Sequence, residues 1–287
     1  MPSGRLTKTS RFNDKVKLDE RALSVRVDNH LDLKRMETFS KGDGKYIPKF
    51  KITNGPASAT IIMYLKNGQT VYDQIGFLNY CDSSLKIDTS YDSFWSSLWR
   101  SLTTTQSFFM TYYTGVQEKE SVAAFAPVLH GDIFAVRIKP GQKYMISSNS
   151  FVCATKNVKL STQTKFKNLF VGGSLFFSIA EVVKVDNNEL SEGMIWVLSY
   201  GGFERIHIDK GEKIKIDSGL FCVGNYENDY RITTLSGLKS FFLSGHTTMM
   251  EFEGPCEVYT HCRNLFKYLH YVKTQIVTPP KYDIQHK

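Results

Sequence analysis

No apolar run in the 287-residue chain reaches the roughly 18 residues that a membrane-spanning helix needs. The most apolar stretch, residues 169–180 (LFVGGSLFFSIA), is shorter and holds two glycines. That excludes a polytopic helical membrane protein. The signatures of phosphate and dinucleotide loops are missing too. Gly42-Asp43-Gly44-Lys45 lacks both the earlier glycine and the following hydroxyl residue of a phosphate loop, so it reads as a polar turn. Neither GxGxxG, HExxH nor GxSxG occurs. Proline is scarce, at 8 residues. No secretory leader opens the chain, and its five cysteines are odd in number and scattered, so the expectation is free thiols in a reducing compartment and no secretion. A wholly disordered chain is excluded by composition, with 41% apolar and 22% charged residues.

What is abundant is aromatic. There are 20 Phe and 15 Tyr, and many short Val/Ile/Phe/Tyr runs stand between glycines, a pattern that leans to β structure. The charge is uneven. Residues 1–50 hold 12 Lys/Arg against 7 Asp/Glu, whereas the whole chain has 36 against 28, so most of the net +8 sits on the N-terminal segment. A basic arm on a nearly neutral body suits contact with an acidic surface through the arm. It does not suit a dedicated nucleic-acid reader, which carries its charge on the folded face. The first 13 residues are basic, rich in Ser/Thr and free of acid, like a short transit segment, although Asp14, Asp19 and Glu20 follow at once. A basic tail is the plainer reading.

The chain repeats itself. Residues 65–81 (LKNGQTVYDQIGFLNYC), 138–154 (IKPGQKYMISSNSFVCA) and 208–224 (IDKGEKIKIDSGLFCVG) share one pattern, with anchor glycines Gly68, Gly141 and Gly211 spaced by 73 and 70 residues. Each has an apolar residue, a turn pair, Gly and then Gln or Glu. An apolar pair follows: Phe77-Leu78, Phe151-Val152 and Leu220-Phe221. A second element, Phe108-Phe109, Phe176-Phe177 and Met249-Met250, recurs further on. Runs such as Ile214-Lys215-Ile216-Asp217 alternate as a half-buried strand does. Each repeat therefore reads as a small antiparallel β-unit that cannot bury its apolar face alone, so three should stack or close into one body. The expectation is an all-β body with pseudo-threefold character over residues 51–265. It divides into repeats of about 51–122, 123–195 and 196–265, with short helical pieces at 91–101 and 163–170. Residues 1–50 and 266–287 are a basic N-terminal extension and a C-terminal tail.

The stretches FAPVLHGDIFAVRIKPGQKYMISSNSFVCAT, LSYGGFERIHIDKGEKIKIDSGLFCVG and LKSFFLSGHTTMMEFEGPCEVY resemble the altered-inheritance-of-mitochondria (AIM) family, related to tryptophan-RNA-attenuator-like β-proteins. The resemblance covers roughly residues 50–265, and Gly201-Gly202, Gly211, Gly219 and Gly245 fall where that family has glycines. It implies a β-sandwich or shortened double-stranded β-helix built by triplication. It also implies a mitochondrial setting tied to inner-membrane organisation and respiratory assembly. The family brings no catalytic residues to carry over. The first repeat departs most, with Ser101-Leu102-Thr103-Thr104-Thr105 in place of the glycine-rich turn.

Chemistry is sparse. Cys256 and Cys262 flank His261, but six residues along a strand separate two ligands by about 20 Å, so no zinc site is expected. Cys81, Cys153 and Cys222 follow their anchor glycines by 13, 12 and 11 residues, and that drift argues against three equivalent thiols sharing a soft metal. Glu251 and Glu253 alternate with Phe252 and so share a solvated strand face. No enzyme activity, cofactor or metal is expected. Trp95, Leu98 and Trp99 fall on one stripe at helical spacing beside Arg100, which suits either core packing or a docking and membrane-interface patch.

The functional expectation is a non-enzymatic structural or scaffold protein that meets protein subunits of a larger assembly, with peripheral membrane contact. The N-terminal extension (Arg5, Lys8, Arg11, Lys15, Lys17) and then the aromatic run (Trp95, Trp99, Arg100) are its contact residues. Strand edges left by incomplete repeats offer another way to pair with a subunit. The alternatives are a structural subunit of another large particle, virion or organelle complex, with a cytoplasmic or virion location, and an RNA-binding module. The neutral body speaks against RNA.

Overall fold

The computed structural model describes residues 26–28, 38–40, 45–74, 76–89, 110–147, 149–162, 177–185, 190–226, 230–233 and 249–276. Three strands precede the first repeat: β1 (Arg26–Asp28), β2 (Thr38–Ser40) and β3 (Lys49–Thr53). Repeat 1 contains β4 (Thr60–Leu65), β5 (Thr70–Gln74), β6 (Leu78–Cys81), β7 (Lys86–Asp88), β8 (Met110–Thr114) and β9 (Ser121–Phe125). Repeat 2 contains β10 (Gly131–Ile138), β11 (Lys143–Ser147), β12 (Phe151–Thr155), β13 (Val158–Thr162), β14 (Phe177–Val182) and β15 (Gly193–Tyr200). Repeat 3 contains β16 (Phe203–Ile208), β17 (Lys213–Asp217), β18 (Phe221–Asn225), β19 (Tyr230–Thr233), β20 (Met249–Glu253) and β21 (Cys256–His261), and a helix, α1 (Leu265–Ile276), follows.

The triplication is complete at the level of hydrogen bonding. In every repeat the first strand pairs with the sixth, the second and fourth with the fifth, and the third with the sixth. The third strands also carry one bulge at matching places, between Leu78 and Tyr80, Phe151 and Cys153, and Phe221 and Val223. The anchor glycines explain themselves. Gly68, Gly141 and Gly211 have φ of 81°, 87° and 84° at the third position of tight turns. These are closed by Gln69 N–H to Lys66 O, Gln142 N–H to Lys139 O and Glu212 N–H to Asp209 O. The residue after the glycine matters as well: Gln69 and Gln142 accept the Lys66 and Lys139 N–H through Oε1, at 2.9 and 3.1 Å.

Second strands join the third strands of the next repeat. β5 pairs with β12, and β11 pairs with β18. The strands thereby form four sheets, with orders β2-β3-β4-β9-β6, β10-β15-β12-β5-β8-β7, β1-β16-β21-β18-β11-β14-β13 and β17-β20-β19. One apolar core lies between the first and second sheets, around Met63, Phe125 and Trp196. Another lies between the second and third, around Ile138, Phe151 and Cys222. The last lies between the third and fourth, around Met145, Phe221 and Phe252. The inner sheets are thus covered on both faces, which is why Phe151–Thr155 and 193–199 are buried without alternation. Alternation survives at the ends of the stack, as along β3 and β4.

The sequence left open whether the three units stack or close, and the strand pairing favours stacking. Among the described residues the ladder runs from repeat 1 to 2 to 3 and does not return. The register of the motif is corrected: the bulges align Leu78, Phe151 and Phe221, so Phe77 matches Ser150 rather than Phe151. Part of the N-terminal extension belongs to the body, since β1 extends the third sheet beside β16 and β2 extends the first beside β3. The helical pieces expected at 91–101 and 163–170 lie outside the described residues.

Candidate functional site

The contact residues read from the sequence, Arg5, Lys8, Arg11, Lys15, Lys17, Trp95, Trp99 and Arg100, all lie outside the described residues. The position of the aromatic run along the chain is nonetheless clear. It belongs to the connection between β7 and β8, the fourth and fifth strands of repeat 1. The matching connections β13–β14 and β19–β20 are long as well, spanning 163–176 and 234–248. Long connections at one recurring place on a packed scaffold are where interaction surfaces concentrate.

The polar groups inside the body form two centres. In the first, His261 at the end of β21 meets repeat 2. The Tyr200 N–H donates to its Nδ1 at 3.1 Å, Ser199 Oγ lies 3.1 Å from the same nitrogen, and Ser150 Oγ lies 3.2 Å from Nε2. A backbone donor on Nδ1 puts the ring proton on Nε2, so the imidazole donates to Ser150 instead of taking its proton. Burial holds the ring neutral, with its pKa lowered to about 4. Cys222 is close by, donating to Leu198 O at 3.6 Å, and burial pushes its thiol up to about 12. This arrangement locks two repeats together. It activates neither the serine nor the thiol, because a nucleophile needs a base that accepts its proton or a depressed pKa.

The second centre is Asp73 on β5, fully buried opposite Cys153 of β12. Among the described residues its carboxylate oxygens find no hydrogen bond of ordinary geometry. Burial raises its pKa to about 7, and the neighbouring Tyr113 hydroxyl and Phe77 backbone offset only part of that rise. The same position is Ile146 in repeat 2 and Ile216 in repeat 3, the apolar residues the packing calls for.

The metal expectations can be placed residue by residue. By register Cys81, Cys153 and Cys222 fall on three different positions of the third strand, matching Ala154, Val223 and Val152. Cys153 is buried in the first core and Cys222 in the second. Cys256 donates to Glu253 O at 3.6 Å, and Cys262 lies against Gly202. Among the described residues no three His, Cys, Asp or Glu side chains come together as a metal site would require.

The decisive comparison is with families. Residues 50–263 match the family described as mitochondrial biogenesis AIM24. The chain belongs to the AIM24 family. A role connected with mitochondrial biogenesis comes with that membership. The AIM24 segment covers all six strands of each repeat and leaves β1 and β2 outside it. A crystal structure of a Streptococcus pyogenes protein shares the fold, with a TM-score of 0.62 and 22% identity over 78% of this chain and 97% of that one. No curated protein matches. Among the described residues of this AIM24 member no helix is long and apolar enough to cross a membrane.

Sequence reasoning missed α1. Its signal was present: Asn264 accepts the Lys267 N–H at 3.1 Å as an N-cap, ahead of the apolar spacing Leu265, Leu269 and Val272. Lys267 then reaches the buried Asp217 of β17 at 3.0 Å, which docks the helix start on repeat 3, while Tyr268, Leu269 and Tyr271 stand exposed.

Proposed function

We propose that this AIM24-family chain is a non-enzymatic structural protein of a mitochondrial inner-membrane assembly. It holds protein partners through residues 1–25 and through the 91–101 run on the connection between β7 and β8, and rests on the membrane surface without crossing it. The observation that carries the reading is the use made of the interior. His261, Ser150, Ser199 and Cys222, the groups with chemical potential, are spent on fastening repeat 2 to repeat 3. A rigid body with its polar groups locked suits scaffolding.

The test is the native mass and the co-purifying proteins of tagged chain from its own cells, beside a variant lacking residues 1–25 and the double variant Trp95→Ala/Trp99→Ala. The expected result is a defined assembly with mitochondrial partners that both changes weaken, at unchanged thermal stability. A chain that travels alone with its arm intact overturns the proposal. So does a cytoplasmic or viral particle as the assembly.

A further inference from the structure

The junction between repeats is used twice, and its two halves recur unused at the ends of the chain. At the first junction Val71, Tyr72 and Asp73 of β5 face Thr155, Ala154 and Cys153 of β12. At the second, Tyr144, Met145 and Ile146 of β11 face Asn225, Gly224 and Val223 of β18. Counted from the anchor glycines and from the bulges, the two registers are identical, and each closes with a flanking bond: Lys156 N–H to Thr70 O at 3.1 Å and Tyr226 N–H to Lys143 O at 2.8 Å. β17 is the remaining second strand and β6 the remaining third strand. Each is the outer strand of its sheet, and among the described residues neither has a partner on that side.

We propose that β17 of one copy pairs with β6 of another in the register of the internal junctions, linking copies head to tail. Ile214, Lys215 and Ile216 then face Asp82, Cys81 and Tyr80 of the second copy, and the Ser83 N–H reaches Lys213 O. The backbone is set for it. Asp82 N–H bonds Val122 O and Gly254 N–H bonds Glu212 O. Because bonded and non-bonded positions alternate along an antiparallel pair, the N–H and C=O of Cys81 and of Lys215 point to the free edges. The side chains agree. Tyr80 is 50% exposed, whereas its counterparts Cys153 and Val223 are 0% exposed inside the internal junctions. In the joint sheet Tyr80 lies beside Ile216, over the third core of the first copy. Lys213 and Lys215 lean on the face, against Glu253 and Glu251 at 3.0 and 3.5 Å, and leave the edge open. Lys215 stands where the internal junctions have Tyr72 and Met145 in the cores, so the intermolecular contact is smaller than the internal ones and depends on concentration. A contact between two different edges is heterologous and propagates into a ring or a chain of copies. The inference is independent of the partners proposed above, because it concerns the strand edges alone.

The test uses the full chain with Lys215→Cys, oxidised, with the native Cys81 as the other thiol; directly opposed strand positions lie within disulfide reach. Mixing isotope-labelled and unlabelled chains separates linkage between copies from linkage within one. The expected result is a ladder of multimers with a mapped bond between positions 81 and 215 of different copies, lost when Cys81→Ser is added. Without the cross-link, the mass of the reduced native chain should rise with concentration. Lys215→Pro removes the edge N–H together with the exposed ion pair to Glu251, which Lys215→Ala removes alone; the proline but not the alanine should return it to the monomer, both at nearly unchanged thermal stability. A chain that stays monomeric at the highest concentration overturns the proposal. A bond between 81 and 215 confined to one copy does so too, as does a multimer indifferent to Lys215→Pro.

Discussion

Asp73 is fully buried and His261 is partly so, and their effects on stability run in opposite directions with pH. The folded-state pKa of Asp73 is raised to about 7, so stability is fully present below its unfolded value of 3.8 and is lost as pH rises towards 7. The folded-state pKa of His261 is lowered to about 4, so its stability is fully present above the unfolded 6.5 and is lost as pH falls towards 4. Between pH 4 and 7 the two trends offset each other. Asp73→Asn should therefore leave stability rising with pH, and His261→Gln should leave it falling, in denaturant titrations at pH 4.5 and 7.5. The Asp73 change should add about 3 kcal/mol more at the higher pH than at the lower. A pH-independent effect of both changes would refute this pairing. Neither residue was legible as a centre in the sequence. The repeat motif aligned Asp73 with Ile146 and Ile216 without revealing that all three positions are buried, and His261 drew attention only through its neighbours Cys256 and Cys262. The cysteine argument was legible in sign, since the drift in spacing from the anchor glycines does put the thiols at different positions.

Strands and turns were the best-read elements, because turn chemistry is local. A glycine with positive φ followed by Gln states its purpose within four residues. The pairs chosen to mark the strands were less secure, since a bulge inserts a residue and shifts the apparent register by one. Bulges come from the ladder with β9, β15 and β21, which no local pattern reports. The helix α1 escaped because it follows a strand-like run and its cap is a single asparagine. Close backbone approach was equally invisible. Gly115, just after β8, packs against the turn at Asn67-Gly68, where an added Cβ would run into the Lys66 and Leu65 carbonyl oxygens. Gly115→Ala should cost about 2 kcal/mol, read as a lowered denaturation midpoint at unchanged slope. Full tolerance of the alanine would mean that this edge is looser than described.

At the scale of the molecule the sequence announced three β-units in one all-β body, and the structure holds them as four sheets with three cores in succession. Closure or succession could not be told from spacing, because both bury a unit's apolar face equally well. What separates them is which strand edges meet, a property of pairs far apart in sequence. The N-terminal extension divides accordingly. Removing residues 1–25 should leave the melting temperature unchanged. Removing 1–44 should lower it by several degrees, because it strips β1 from β16 and β2 from β3. Equal melting temperatures for the two truncations would show that these short strands add nothing to the body.

The pairing of β1 with β16 also sets an order in time. Val27, near the start of the chain, lies opposite Ile206 in repeat 3. A chain that emerges N-terminus first, from a ribosome or through an import channel, cannot form that pair until repeat 3 has arrived. Its first strand waits while repeats 1 and 2 settle, and contacts this remote in sequence are among the slowest to form. The N-terminal strand β1 thus joins the body only after β16 of repeat 3 has been made.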